Sequence, residues 1–157
     1  MAATGVLGSR LYVGPVALAD IETNADALAD FTALTIAVEI GLIDNIGEFG
    51  KVHDMVSFQA VATGRTYKLK GGYNQGALQL TMGSDLSDAG QLLMYQYGNA
   101  QDQNTYPFRI TLVGMASGYD NVYFGGKIFS YRQQLGSVNN IIKAQVNIEI
   151  NTDIYFG

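Results

Sequence analysis

Residues 140–151 read NIIKAQVNIEIN. Ile142, Ala144, Val146, Ile148 and Ile150 fall on one side of an extended chain, and Lys143, Gln145, Asn147, Glu149 and Asn151 on the other. This alternation predicts a strand in a sheet with one buried and one wet side. At about 3.3 Å per residue, twelve residues span roughly 40 Å, long for a domain of this size. Long two-faced strands suit a curved wall, so the polar row Lys143, Gln145, Asn147 and Glu149 is a candidate lining for whatever that wall encloses.

Most of the chain reads the same way. Residues 10–16 form a short strand closed by Gly14-Pro15, and residues 17–31 are small and acidic, favouring a surface arm or loop over a weak helix. The run 32–43 (TALTIAVEIGLI) predicts a strand buried on both faces, and 43–54, rich in Gly and charge, a loop. Strands are expected over 55–62 and 65–70, then a long permissive connection through Gly71, Gly72, Asn74 and Gly76. Residues 77–82 alternate, with Leu78, Leu80 and Met82 on one face. Ser84–Asn99 is the helix candidate: Ser84 as N-cap, Asp85 and Asp88 in the first turns, a stripe of Leu86, Ala89 or Gly90, Leu93 and Tyr97, and a stop at Gly98-Asn99. Strands over 106–114 and 121–133, the latter kinked at Gly125-Gly126, complete a mainly β chain. The residue pattern therefore predicts a mainly β chain with one α-helix packed on a sheet, in a single domain over 1–157.

Composition limits the chemistry. The 157 residues are 48% hydrophobic and only 15% charged, against about 25% for an ordinary soluble chain. A surface short of charge is expected where other chains cover it. Cys is absent, which excludes disulfides, thiolate metal sites and a Cys nucleophile. His53 is the only histidine, so a conventional zinc site is not expected. The start lacks the basic and apolar regions of a signal peptide, and no apolar run is long enough for a membrane helix, so no membrane insertion is expected. No cofactor is implied. The net charge of −5 argues against a nucleic-acid reader. Charge alternates in blocks: −6 over 1–54, +3 over 55–83 (Arg65, Lys68, Lys70), −3 over 84–104 and +1 thereafter. Such alternation fits either a solvated mixed surface or complementary faces of a subunit that stacks on its copies.

No catalytic pattern stands out. Gly47-Glu48-Phe49-Gly50-Lys51 fails the phosphate-loop spacing, since Asn45 stands five residues before Gly50 and Val52 follows Lys51. There is no G-x-S-x-G, and His53 sits in a Gly-rich charged loop as an ordinary loop or interface residue. Asp85 and Asp88 read as helix-start residues. Tyr95, Tyr97, Tyr106, Tyr119, Tyr123 and Tyr131 read as packing, with a stacking platform for sugars or bases as the other possibility. The chain is not expected to be an enzyme.

Several segments, in order and spacing, resemble the major tail tube protein of long-tailed (siphovirus-type) phages. They are Ile40–Gly50 with Val56-Ser57-Phe58, Gly64–Gly71 with Gly76–Leu80, Ser84–Gln91, Tyr106–Ile110, Val122–Gly126, Asn140–Ile142 and Ile148–Asn151, within roughly residues 33–153. The resemblance implies a β-sandwich or partial barrel with one flanking α-helix, and hexameric rings whose inner sheets join into one continuous barrel. The rings stack into a tube around a tape-measure protein, capped by terminator and tip proteins. DNA later passes through without specific binding. It implies assembly in the host cytoplasm and residence in the virion tail. It also implies a loop that is flexible in the free subunit and orders against the next ring, here Gly47, Glu48, Phe49, Lys51, His53 and Asp54 with the turn region from Arg65 to Gly76, including Lys68 and Lys70. The immunoglobulin-like domain that some relatives append after the tube domain is not expected in residues 1–157. An open channel needs roughly 16 or more strands, more than this chain supplies and within reach of several copies. The inner tube of a contractile secretion or tailocin-like machine is an alternative of the same kind. A monomeric ligand-binding β-sandwich is one of a different kind.

Overall fold

The structure is a computed structural model and describes residue 5, residues 7–18 and residues 27–157. Ten strands and two helices follow in the order β1 (Arg10–Val13), α1 (Ala27–Ala33), β2 (Val38–Glu39), β3 (Ile43–Asn45), β4 (Val52–Gln59), β5 (Thr66–Asn74), β6 (Ala77–Gly83), α2 (Ala89–Asn99), β7 (Tyr106–Thr111), β8 (Asn121–Gln134), β9 (Lys143–Ile150) and β10 (Tyr155–Phe156). One antiparallel sheet runs β2-β1-β7-β8-β9-β6-β3, with β10 beside β8, and β4 pairs only with β5.

That sheet cannot lie flat. Seven strands at about 4.8 Å spacing would separate β2 from β3 by roughly 29 Å. Only Ile40, Gly41 and Leu42 join them, a reach of at most about 14 Å. The sheet therefore rolls until its edges approach. The connector closes the gap from both sides: Ile40 N–H donates to Leu11 O (3.0 Å) and Gly83 N–H to Leu42 O (2.8 Å). The result is a partly closed barrel with its apolar face inside. Leu11, Val13, Phe108, Ile110, Phe124, Leu80, Val146 and Ile148 are buried there.

Helix α2 packs on this inner face, with Gly90, Gln91 and Met94 buried. Its N-terminus is tied to the connector. Asp88 caps it, and its Oδ2 accepts from the N–H groups of both Gln91 (3.1 Å) and Gly41 (3.1 Å). Buried Gln91 donates to Gly41 O (2.9 Å) and Gly83 O (2.8 Å) and accepts from Asp85 N–H (2.8 Å), so its amide is fully occupied. On the outer face, Phe31 of α1 is wholly buried and packs against the rings of Tyr123 and Tyr155, 6.3 and 5.8 Å away.

Several expectations need correction. Residues 32–43 are not one strand: they form the end of α1, β2 and the connector, with Leu42 at φ 58° where the chain reverses toward β3. The arm expected over 17–31 lies partly outside the described residues (19–26), and its last residues begin a second helix. Residues 71–74 continue β5 rather than forming a connection, and His53 and Asp54 lie in β4 rather than in a loop. Helix α2 starts at Ala89, capped by Asp88 instead of Ser84, because Asp85 is engaged in a tight turn with Ser87. It runs through Gly98 and Asn99, ending at Ala100 in extended conformation. The irregularity in β8 lies between Ile128 and Ser130 rather than at Gly125-Gly126. Those glycines answer to close packing: a Cβ on Gly126 would sit 2.6 Å from Ile148 Cγ2. Strand β9 is eight residues, and the long strand is β8, fourteen residues spanning roughly 46 Å.

Candidate functional site

Two surfaces gather the residues singled out by the sequence. The first is the β4–β5 hairpin. Its register pairs Val56 with Leu69 and Phe58 with Tyr67 on one face, and Met55 with Lys70 and Ser57 with Lys68 on the other. Between the pairs His53–Tyr73 and Met55–Lys70, β4 advances two residues and β5 three. The extra residue is a bulge at Gly71-Gly72, which accounts for the glycines there. One face is thus apolar and the other basic.

Both faces meet solvent. Val56, Phe58 and Leu69 are 53%, 56% and 58% exposed, and every residue of β4 is exposed. Among the described residues, each of the two strands packs substantially only on the other. Phe58 stacks on Tyr67 (5.3 Å), and the Arg65 guanidinium lies over the Tyr67 ring (5.2 Å). A two-stranded ribbon of this kind is marginal in water without a surface to cover it.

The loop candidates divide accordingly. Gly47, Glu48 and Phe49 stay with the barrel: Gly47 turns at φ 93° against the Gln79 backbone, and Phe49 packs on the core. Lys51 stands at the hairpin root, with its Nζ 4.0 Å from both Asp153 Oδ1 and the Tyr73 ring centroid. His53, Asp54, Lys68 and Lys70 lie in the strands of the hairpin, and Arg65 in the turn that joins them, its carbonyl accepting from Ala60 N–H (3.0 Å).

The second surface is the outer face of β6, β9 and the far half of β8. Lys143, Gln145, Asn147 and Glu149 do share it. Gln79 Nε2 donates to Asn147 Oδ1 (2.9 Å), and Asn147 Nδ2 to Glu149 Oε1 (3.2 Å). Lys143 pairs with Asp44 at 3.2 Å. The register adds Lys127 opposite Glu149, Arg132 opposite Gln145 and Ser130 opposite Asn147. The face is therefore mixed in sign, with three cations among the nine residues named here. Strand β9 alone could not disclose this, because Lys127 and Arg132 enter through a pairing register that an isolated pattern does not specify.

The other candidates disperse. Tyr106 lies in the inner core, stacked on Tyr97 at 3.6 Å, whereas Tyr123 packs under α1 on the outer face, so these tyrosines build no shared platform. Burial, and secondarily Tyr106, pushes the Tyr97 hydroxyl up to about 12. The Ser87 hydroxyl and N–H hold the Asp85 carboxyl below its ordinary value, as befits a turn before a helix. Among the described residues no three His, Asp or Glu side chains converge as a metal site would require. Gln91 was missed because hydropathy marks it as solvent-facing. Its one signal is its position three residues after Asp88, the spacing of a helix-start box.

No protein-family model and no curated protein matches the sequence. Solved structures do match. A chain of the sheath/tube terminator of the PVC extracellular contractile injection system in its extended state aligns at TM-score 0.68 and 11% identity, over 100% of this chain and 98% of that one. A chain of the PVC sheath-tube complex in the extended state aligns at 0.67 and 10%, over 99% and 91%. The SPP1 tail tube aligns at 0.59 and 12%, over 98% and 79%. The fold is the mainly β fold found in these tube assemblies.

Proposed function

We propose that this chain is a structural subunit that assembles with copies of itself into stacked hexameric rings, forming the tail tube of a siphovirus-type phage. The observation that carries this is the β4–β5 hairpin: an amphipathic ribbon, uncovered on both faces by the described residues of its own chain, projecting from a fold found in tube assemblies. In the ring the apolar face of the hairpin, with Arg65 over Tyr67 at its tip, packs on a neighbouring copy, and Lys68 and Lys70 on the opposite face meet acidic surface of an adjacent ring. The hexamer pools strands from six copies to enclose a channel. The polar face of β9 lines it. Cations there stand among Glu149, Asp44 and neutral amides, which limits the hold on phosphates and lets DNA slide.

On this reading the partners are other copies, a tape-measure protein, and terminator and tip proteins. The location is the virion tail after assembly in the host cytoplasm, and the role is non-enzymatic. The inner tube of a contractile particle fits the same fold, and an accompanying sheath protein would distinguish it. The test is the purified chain at rising concentration, followed by light scattering and negative-stain microscopy. Rings and tubes are expected. Monomers that persist across salt conditions would overturn the proposal.

A further inference from the structure

The hairpin touches the barrel at its roots, and both roots converge on one carboxylate. Gln75, directly after β5, donates from Nε2 to Asp153 Oδ1 at 2.7 Å. Lys51, directly before β4, has its Nζ 4.0 Å from the same oxygen. Gln75 is one of two buried polar residues among those described, at 7% exposure, so removal of its acceptor leaves a buried amide without that partner. Gly50 (φ 153°), directly before Lys51, is a backbone position able to pivot, whereas Gly76 (φ 84°) donates to Asn74 Oδ1 (2.8 Å) and accepts from Ile150 N–H (3.1 Å), which leaves the Lys51 root the freer of the two.

The carboxylate itself is firmly mounted. Thr152 Oγ1 accepts from Gly125 N–H (2.8 Å), and β10 pairs Tyr155 with Tyr123 in the main sheet. A cavity of about 460 Å³ beside the carboxylate, lined by Phe49, Lys51, Gln75 and Tyr155 among others, leaves the roots room to move.

We propose that Asp153 is a positioning residue that latches the hairpin in the direction needed for docking on a second copy. The proposal rests on the assembly reading above and deepens it. Leverage makes the latch matter: eight residues of β4 place the tip roughly 26 Å from the root, so a tilt of about 10° moves it roughly 4–5 Å. A subunit whose hairpin points correctly only part of the time binds its neighbour more weakly in proportion to that fraction.

The native chain lacks cysteine, so spin labels can be placed at Val61→Cys on the tip and Gln96→Cys on α2, and their separation measured by pulsed electron resonance in dilute subunit. The unlabelled variants are assayed for the concentration at which assembly begins. Asp153→Ala is expected to broaden the distance distribution about twofold and raise the onset about tenfold. Gln75→Ala should do the same from the other partner. Asp153→Asn keeps an acceptor for Gln75, loses the charge facing Lys51, and should fall between. An unchanged distribution in Asp153→Ala and Gln75→Ala would overturn the latch, and so would a broadened distribution with an unchanged onset. If the native chain itself never assembles, the tube reading fails, while the distance measurement still decides whether Asp153 orients the hairpin.

Discussion

Strands β9 and β4 are each eight residues long and place apolar side chains on one face. In β9 those side chains, Ala144, Val146, Ile148 and Ile150, are between 0% and 7% exposed, packed inside the rolled sheet. In β4 the corresponding Val56 and Phe58 stand more than half exposed. The difference lies in the neighbours: among the described residues β9 has a strand on either side and its apolar side chains inside the rolled sheet, whereas β4 has β5 alone. The same local pattern serves folding in one place, and in the other is left uncovered by the described residues. An exposed apolar ribbon is a liability in a monomer, and an interface in a subunit.

Variants can break this comparison. The largest effect on stability is expected from Ile148→Ala, about 2–5 kcal/mol by urea unfolding of the free subunit, since a wholly buried side chain leaves a cavity. Phe58→Ala in the same assay should cost no more than about 0.5 kcal/mol, as for other surface changes, yet prevent tube formation. Equal losses in the two variants would show that the hairpin has a partner within its own chain. Gly90→Ala comes next. Helix propensity favours Ala by about 1 kcal/mol, but the added Cβ would lie 2.2 Å from Glu39 O. Overpacking should win, giving a net loss of about 1–3 kcal/mol and a lower melting temperature. Lys68→Glu with Lys70→Glu should leave the free subunit within about 0.5 kcal/mol of the native protein while blocking ring stacking. Normal tubes in the microscope would refute that contact. The smallest effect is Lys143→Glu. It replaces an exposed ion pair with Asp44 by a repulsion worth at most about 1 kcal/mol, and tubes should still form. Loss of folding would place Lys143 in a core.

The sequence disclosed those parts of the fold whose periodicity is strict. The alternation of Leu78, Leu80 and Met82 and of Val146 and Ile148 identified both strands and their buried faces, because a strand between two neighbours with one wet face leaves a period-two signature. Residues 32–43 misled for the opposite reason. An apolar run without period fits a buried strand as well as the helix end, edge strand and barrel-closing connector actually found there, and only closure of the sheet decides between them. Helix α1 was hidden because the burial of Phe31 comes from Tyr123 and Tyr155, distant in the chain. Of the candidate surfaces, the charge of Lys68 and Lys70 and the polar row of β9 were legible. The continuation of β5 through Gly71-Gly72 was not, since glycine signals a bulge and a loop alike. Asp153 and Gln75 carry no pattern at all. Their meeting is a product of tertiary structure.

Amide hydrogen exchange, compared between free subunit and assembled tube, tests the central claim most directly. If the hairpin finds its missing cover in another copy, amides over 52–74 should exchange far faster than those of β6 and β9 in the free subunit, then become strongly protected in the tube. Equal protection of the hairpin before and after assembly, or no assembly from which to measure it, would contradict the account.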